Sequence, residues 1–140
     1  MRRRATIALH WLNASLLLFV LADGGKTAVL AWVYVSGALS MSLLALVFGL
    51  MNGPGPKLEG LFRRLHPWLH RLIYALMAWG AVALGAQGLG RALPGPEARV
   101  LLMALLAVTL LHGVFNLWRH TALGDGALRR ITPRAIHHIL

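Results

Sequence analysis

Hydrophobic residues in this chain fall into four long runs, and polar residues gather between them. The runs extend over residues 5–22, 27–51, 65–86 and 97–118. Each run reaches the roughly 17–25 residues that an α-helix needs to cross a ~30 Å hydrocarbon layer. The pattern therefore predicts an all-α fold, a membrane four-helix bundle in which the spans run antiparallel and form a single transmembrane domain.

Short segments rich in glycine and proline separate the four runs. They read DGGK, NGPGPKLEG and LGRALPGP, and both residue types terminate helices. No cleavage pattern of small residues follows the first run, so we interpret it as a spanning helix rather than as a signal peptide. Residues 119–140 are polar enough to form a tail outside the membrane. Its histidines, His120, His137 and His138, are predicted to be solvated.

Composition supports a membrane location and excludes several kinds of chemistry. Hydrophobic residues make up 58% of the chain and charged residues 13%, and the mean hydropathy is +0.67. A soluble domain carries about a quarter charged residues, so much of this chain must contact the lipid bilayer. The absence of cysteine excludes disulfides, thiolate-bound iron–sulfur clusters and thiol catalysis. No phosphate-binding loop or acid/base pair is present, which leaves hydrolase and transferase activities without support.

The net charge of +10 is distributed unevenly between the two sides of the predicted bundle. Eleven of the fourteen Lys and Arg residues fall on the side that holds both chain ends, and the others are Lys26, Arg91 and Arg99. The positive-inside rule then predicts that both termini are cytoplasmic. Because the basic residues lie at the ends of apolar runs, we interpret them as topology signals and lipid headgroup contacts, not as a nucleic-acid surface.

Three histidines from three different runs are predicted to lie at one depth. At a helical rise of 1.5 Å per residue, His10, His70 and His112 lie roughly 7–10 Å inside the same membrane edge. An unsatisfied polar group in hydrocarbon costs several kcal/mol, so each imidazole needs a partner. One interpretation is a hydrogen bond to a neighbouring helix. We favour a shared ligand, with His10 and His112 as the axial ligands of one haem iron. Gly113 leaves room either for the porphyrin edge or for a packed helix.

A bare zinc ion is the weaker alternative for these imidazoles. Zinc takes three or four N, O or S ligands, and no carboxylate is available at membrane depth. His66 and His70 have the i, i+4 spacing found in zinc sites. However, Pro67 between them predicts that His66 lies in the first turn of the third helix, near the interface.

Three segments of the chain resemble the bacterial cytochrome b561 family. They read ALHWLNA in the first run, HRLIYALMAWGAVALG in the third, and LLHGVFNLWRHTALGDGALRRITP from the fourth run onward. Members of that family are four-helix proteins that bind haem b and exchange electrons with quinone, in some cases ubiquinone. The resemblance implies the same fold, a multi-pass location in the bacterial inner membrane and an electron-transport function.

The resemblance also implies roles for individual residues. His10 and His112 match the family's ligand pair for the haem near the cytoplasmic face, and His70 matches a histidine near that haem. Arg129 and Arg130 match the family's basic tail. The ring nitrogen that does not bind iron should donate a hydrogen bond to a nearby carbonyl or hydroxyl. The first side chains to examine are Asn13 and Asn116, three and four residues after the two ligands.

Basic and aromatic residues at the same edge extend the candidate site. The arginines that can pair with haem propionates are Arg4, Arg64, Arg71 and Arg129, and topology and lipid anchoring are the alternative role for most of them. A quinone pocket is predicted around Trp11, His70 and Tyr74, where His70 would bond a quinone carbonyl and supply a proton. The alternative is that Trp11 is an interfacial aromatic and Tyr74 packs between helices.

The family's second haem, near the outer face, has no histidine ligands in this chain. Its two ligand positions hold Tyr34 and Ala98, and a basic position late in the second helix holds Phe48. Alanine has no ligating atom, and a tyrosine is a poor substitute for half of a bis-imidazole pair. We therefore predict a reduced member of the family with one haem b per chain.

A single haem near one face cannot bridge the whole ~30 Å hydrocarbon core, so transmembrane electron transfer and superoxide chemistry at the outer face are not expected. The predicted function is a membrane-bound b-type cytochrome, either an electron carrier or a quinone-linked oxidoreductase. It exchanges electrons with quinone or with a docked redox partner at the cytoplasmic face. The alternative is a membrane anchor or accessory subunit of a larger complex, with a structural haem or none, which the short loops favour.

Overall fold

Four long α-helices dominate the computed structural model, which describes residues 2–50 and 57–139. They are α1 (Arg2–Asp23), α2 (Ala28–Phe48), α3 (Gly60–Gly88) and α4 (Ala98–Thr121). No strand occurs in these two described ranges. Each of the four helices is long and apolar enough to cross a membrane. The prediction of an all-α membrane bundle with four spans is therefore confirmed.

Successive long helices pack against one another, α1 against α2, α2 against α3 and α3 against α4. A less extensive contact between α1 and α4 closes the bundle. Since neighbours joined by short connections run antiparallel, α1 and α3 begin at the end of the bundle where α2 and α4 finish. We call this the histidine end, because His10, His70 and His112 all lie in its half. The other end is called the opposite end.

The connection between α1 and α2 is closed by glycines and by one carboxylate. Gly24 and Gly25 have φ values of +69° and +74°, a conformation that glycine adopts without steric cost. The carboxylate of Asp23 accepts hydrogen bonds from the backbone N–H and the hydroxyl of Thr27, at 2.7 and 3.0 Å. These bonds join the end of α1 to the start of α2 in a tight turn.

The third helix begins earlier than its apolar run predicts. It starts at Gly60, so Pro67 lies inside it and His66 lies in its second turn. The prediction that His66 lies in the first turn is therefore wrong, because the helix begins six residues before it. The His66 side chain is only 4% exposed. The proline removes one backbone hydrogen bond, to the carbonyl of Arg63. This loss is tolerated because Arg63 is exposed in the first turn of the helix.

Apolar packing fills the bundle from the opposite end to about its middle. The core there includes Val20, Ala38, Ala81 and Leu102, all at most 2% exposed. Small residues bring the backbones close together, since a Cβ added at Gly80 would lie 3.1 Å from the side chain of Leu102. The interior of the opposite end is therefore filled with closely packed apolar side chains.

The interior of the histidine end is polar instead. Its buried or half-buried positions include Asn13, His66, His70, His112 and Arg119. A polar interior in a membrane bundle is costly unless its groups are paired or serve a ligand. The candidate site is consequently sought at this end.

The tail folds back onto the histidine end. It contains a short helix, α5 (Ala127–Ile131), and a 3₁₀ helix (Arg134–Ile139). α5 packs against α4, and Ala127 and Thr132 are buried. The tail is therefore an ordered cover for this end of the bundle.

Side chains from α1 hold the tail in place. The guanidinium of Arg3 donates to the backbone carbonyls of Arg129 and Thr132, at 3.0 and 3.3 Å. The indole N–H of Trp11 donates to the carbonyl of Ile131 at 3.0 Å. Two helical turns of α1 thus bind one short stretch of the tail.

The tail histidines differ in their surroundings. His120 belongs to α4 and is half-buried, so the prediction that it is solvated is wrong. His137 is also half-buried, and its Nε2 lies 3.2 Å from the carbonyl of Thr132. His138 is exposed. The difference arises because the tail packs against the bundle instead of extending into solvent.

Candidate histidine site

The candidate histidines lie on the inward faces of their helices. On α1, His10 lies between the buried residues Ile7 and Asn13 along one face. On α4, His112 lies seven residues after the buried Leu105 and seven before the buried Arg119. Residues spaced by seven share one face of a helix. The helical register that buries the core at the opposite end therefore also turns these imidazoles inward.

Imidazole rings from α3 and α4 form a contiguous cluster. The ring centroids of His66 and His70 are 4.5 Å apart, and those of His70 and His112 are 4.8 Å apart at an interplanar angle of 88°. The Nδ1 atom of His70 lies 3.0 Å from the carbonyl oxygen of His66. A carbonyl only accepts, so Nδ1 of His70 carries the proton and donates it. Its Nε2 then remains for another partner.

His10 reaches the same level from α1. Its ring packs edge-on against Trp11, with centroids 5.4 Å apart. It lies within electrostatic range of His70 and His112, but among the described residues its ring contact is with Trp11. Within the described residues, its ring nitrogens have no hydrogen-bond partner. The structure thus brings the three predicted histidines together and leaves His10 with unused ligating capacity.

The two asparagines near the predicted ligands behave differently. The amide nitrogen of Asn116 lies 3.1 Å from Nε2 and 3.3 Å from Nδ1 of His112, and it donates to the His112 carbonyl at 2.9 Å. Asn116 therefore faces the ring with its donor rather than with the acceptor that was predicted. Asn13 donates instead to the carbonyl of Leu9, at 2.8 Å, so it is not a partner of the His10 ring.

Sequence reasoning missed the buried guanidinium of Arg119. This side chain is 1% exposed and forms an ion pair with Asp125, with Nε 2.9 Å from Oδ2. One terminal nitrogen donates to Nε2 of His66 at 2.8 Å and to Oδ1 of Asn116 at 3.4 Å. The signal that could have identified Arg119 is its position on the same face of α4 as His112. Because Arg119 lies at the basic end of α4, the sequence alone does not distinguish it from the arginines that act as topology signals.

The predicted aromatic residues of the quinone pocket have other contacts. Trp11 is 49% exposed, and its N–H is already bonded to the carbonyl of Ile131. Tyr74 is half-buried and packs against the apolar core, one turn beyond His70. Any quinone at this place would therefore meet the ring of Trp11 and not its donor group.

The predicted propionate partners lie on the surface. All four of these predicted partners have exposed side chains, namely Arg4, Arg64, Arg71 and Arg129. The guanidinium of Arg71 stacks on the exposed ring of Trp68, 4.7 Å from its centroid. Pairing with propionates stays a prediction for these residues, and Arg119 is the guanidinium that contacts the histidine cluster.

The positions corresponding to the second haem are filled. Tyr34 is 1% exposed and Ala98 is 4% exposed, both within the apolar core. The hydroxyl of Tyr34 has no hydrogen-bond partner within the described part of the chain. Phe48 is exposed at the end of α2. Tyr34 and Ala98 therefore take part in the packing of the apolar core, and the single haem stays a prediction.

Two observations argue against zinc at the histidine cluster. Among the residues that the structure describes, no group of three or more potential metal-binding side chains is arranged to hold a metal ion. Nε2 of His66 is occupied by the guanidinium of Arg119 and cannot join His70 as a ligand. The i, i+4 spacing of the two histidines therefore does not make a zinc site.

Comparisons with known proteins add no relative. No family model, no curated protein and no solved structure matches this chain. The function must consequently be inferred from the residues of the histidine end and from the chemistry that they permit.

Proposed function

We propose that the chain is a membrane-bound b-type cytochrome with one haem b held by His10 and His112. The observation that carries this proposal is the convergence of imidazoles from α1, α3 and α4 at one level of a bundle whose other end is filled with apolar side chains. The ring nitrogens of His10 have no hydrogen-bond partner within the described residues. A polar interior with such an imidazole is typical of a cofactor site in a helical bundle.

The contacts within the cluster select the ligand pair. Two imidazoles that would hold one haem iron cannot already be in contact with each other. His70 and His112 are already in edge contact, and Nε2 of His66 is bonded to Arg119. The ring nitrogens of His10 have no hydrogen-bond partner in the described part of the chain. Its helix, α1, makes with α4 the least extensive contact between adjacent long helices. His10 and His112 are therefore the pair that fits.

The surroundings of the pair also suit a large planar ligand. A Cβ added at Gly113 would meet no atom within 4 Å, so this glycine does not serve close helix packing. Gly113 itself is exposed, and we propose that the open space beside it admits the edge of a macrocycle. The residues present thus fit a haem.

When bound, haem b would supply a one-electron couple between ferric and ferrous iron. The chain's own residues would hold the iron through one nitrogen of each ligand and exclude water by covering the histidine end with the tail. His70, whose Nε2 is not engaged by His66, is placed to bond a quinone carbonyl beside the ligand pair. We propose quinone, with ubiquinone as the type, or a docked redox protein as the exchange partner.

The proposed location is the bacterial inner membrane, with the histidine end facing the cytoplasm. The excess of Arg and Lys at this end supports that orientation. Electron exchange would then occur at the cytoplasmic face. The resemblance to the bacterial cytochrome b561 family stays part of this proposal.

A visible spectrum and a pyridine haemochrome assay of the purified protein test the proposal. We expect a low-spin b-type spectrum and one haem per chain, because the long helices carry no histidine towards the opposite end. A ratio near two would contradict the one-haem proposal. Protein that is folded yet takes up no haem, even when haem is supplied, would contradict the cytochrome function.

A second candidate function is a membrane anchor or accessory subunit of a larger complex. The short turns at residues 24–27 and 89–97 favour it, because they leave little surface outside the membrane for independent chemistry. Haem-free protein that co-purifies with a defined partner complex would select this function.

A further inference from the structure

A buried guanidinium connects the tail, α3 and α4 at the histidine end. Arg119 contacts Asp125 in the loop between α4 and α5, His66 on α3 and Asn116 on its own helix. Burying an ion pair costs several kcal/mol unless its remaining donors are satisfied. Here the guanidinium nitrogens bond Asp125, His66 and Asn116. His66 belongs to the histidine cluster, and Asn116 contacts the ring of His112.

We propose that Arg119 is a positioning residue that orients the imidazole cluster and sets the electrostatic field at the haem ligands. The inference rests on the proposed function, because the ligands in question are those of the proposed haem. Arg119 acts through His66 and Asn116, because its guanidinium donates hydrogen bonds to both of these side chains as well as to Asp125.

The first route runs through His66. A guanidinium has donors and no acceptor, so Nε2 of His66 must be unprotonated and the proton must lie on Nδ1. The same residue stacks on His70 at 4.5 Å and accepts the His70 Nδ1 proton on its backbone carbonyl. Holding the ring of His66 therefore limits the rotation of His70.

The second route runs through Asn116. Because Arg119 can only donate, the amide oxygen of Asn116 faces Arg119 and the amide nitrogen faces His112. A ligand imidazole becomes more basic when its second nitrogen donates to an acceptor. By keeping the Asn116 oxygen away from His112, Arg119 withholds that acceptor from the ligand.

Asp125 balances the charge of Arg119. Both side chains are almost fully buried, and Asp125 comes from the tail, so the folded tail makes the burial of Arg119 possible. A guanidinium is not deprotonated in proteins, so this chain of contacts cannot relay a proton through Arg119. Its effects on the site are orientation and electrostatic potential.

The redox midpoint of the haem protein tests both effects. Arg119→Gln removes a positive charge and releases the Asn116 oxygen, so we expect a lower midpoint. Asp125→Asn leaves the guanidinium uncompensated, so we expect a higher midpoint. Arg119→Lys keeps the charge but loses the fork, and should lower the midpoint less than Arg119→Gln does. The matched control is Arg63→Gln, an exposed charge at the same end, which should leave the midpoint unchanged.

Opposite shifts in the Arg119→Gln and Asp125→Asn proteins would support the inference, because a merely structural role predicts no such signs. Midpoints and low-spin spectra that match those of Arg63→Gln in all three variants would overturn it. Arg119→Lys covers the case in which Arg119→Gln does not fold, since the buried Asp125 retains a cationic neighbour.

A haem-free measurement separates this inference from the proposed function. Nitrogen NMR of protein labelled with ¹⁵N-histidine should show His66 as the Nδ1–H tautomer, and Arg119→Lys should bring tautomer exchange. An Nε2–H tautomer of His66 in the parent protein would overturn the inference. If the parent protein binds no haem, the proposed function fails, and the NMR result alone then decides whether Arg119 orients the cluster.

Discussion

Some polar side chains at the histidine end have hydrogen-bond partners among the described residues and His10 has none, and this difference indicates where a ligand would bind. Arg119 and His66 are engaged with each other, and His70 donates to the His66 carbonyl. His10 has an aromatic neighbour but no hydrogen bond within the described residues. A half-buried imidazole without a partner is costly in a membrane, so His10 is the residue that gains most from binding a metal centre.

Replacing single histidines should distinguish ligands from neighbours. We expect His10→Ala and His112→Ala each to abolish the low-spin haem spectrum, because each removes one axial nitrogen. His70→Ala should leave the spectrum and change only the rate of reduction by quinol. The measurement is the visible spectrum of each purified variant at matched protein concentration. Loss of the haem in His70→Ala, with retention in His10→Ala, would show that α3 supplies the ligand.

At the scale of the helices, the small residues of α2 determine how closely α1 can pack. Gly37 is buried, and a Cβ at this position would lie 2.9 Å from Oδ1 of Asn13. That oxygen has no partner within the described ranges, and its amide nitrogen is held by Leu9. The asparagine thus fills the space between α1 and α2 and leaves none for a methyl group.

The Gly37→Ala variant should therefore be less stable than the parent protein. We expect a loss of about 1–3 kcal/mol, because overpacking forces side-chain and backbone shifts. The matched control is Gly113→Ala, where no atom lies within 4 Å of the added Cβ and alanine favours the helix by up to ~1 kcal/mol. Thermal unfolding in detergent, without added haem, measures both. Equal stability of the two variants would mean that α1 shifts freely against α2.

The tail is a second element whose position depends on a few contacts. Trp11→Phe keeps an aromatic ring beside His10 but removes the N–H that bonds the Ile131 carbonyl. A hydrogen bond contributes about 0.5–1.5 kcal/mol, so cleavage of the tail by trypsin should be roughly two- to tenfold faster. The control is Trp68→Phe, an exposed ring on α3. Similar cleavage rates in both variants would show that Trp11 does not hold the tail.

For the whole molecule, the two ends of the bundle have different physical characters. The opposite end is an apolar core, and the histidine end has a polar interior covered by the tail. This polarity along the bundle axis, together with the excess of basic residues at one end, predicts a single orientation in the membrane. Under the proposed function, electron exchange would then be confined to one face.

Reporter fusions test that orientation. A reporter that works only in the cytoplasm should be active when it is fused after Leu140. A reporter that works only in the periplasm should be active when it is inserted within residues 89–97. The physical reason is that translocating the arginine-rich segments costs more than retaining them. A periplasmic signal from the C-terminal fusion would reverse the proposed topology, and with it the face at which electrons are exchanged.

The sequence by itself determined the number of spans, and it predicted a common depth for three of the histidines. Length and apolarity identify a spanning helix locally, and a rise of 1.5 Å per residue converts position into depth. Hence His10, His70 and His112 were expected at one level before any contact was known. The predicted start of α3 was wrong. Pro67 indicated a helix boundary, but the helix begins at Gly60 and continues through the proline.

Only the tertiary structure decided which side chains meet at that level. The bond between Arg119 and His66 joins residues 53 apart, and the bond between Arg3 and the Arg129 carbonyl joins residues 126 apart. Such contacts depend on how each helix is rotated and where the tail crosses the bundle, and neither is encoded in a local pattern. A buried arginine at the end of a helix looks, in sequence, like any other topology signal, and its partners become visible only when three segments of the chain are packed together.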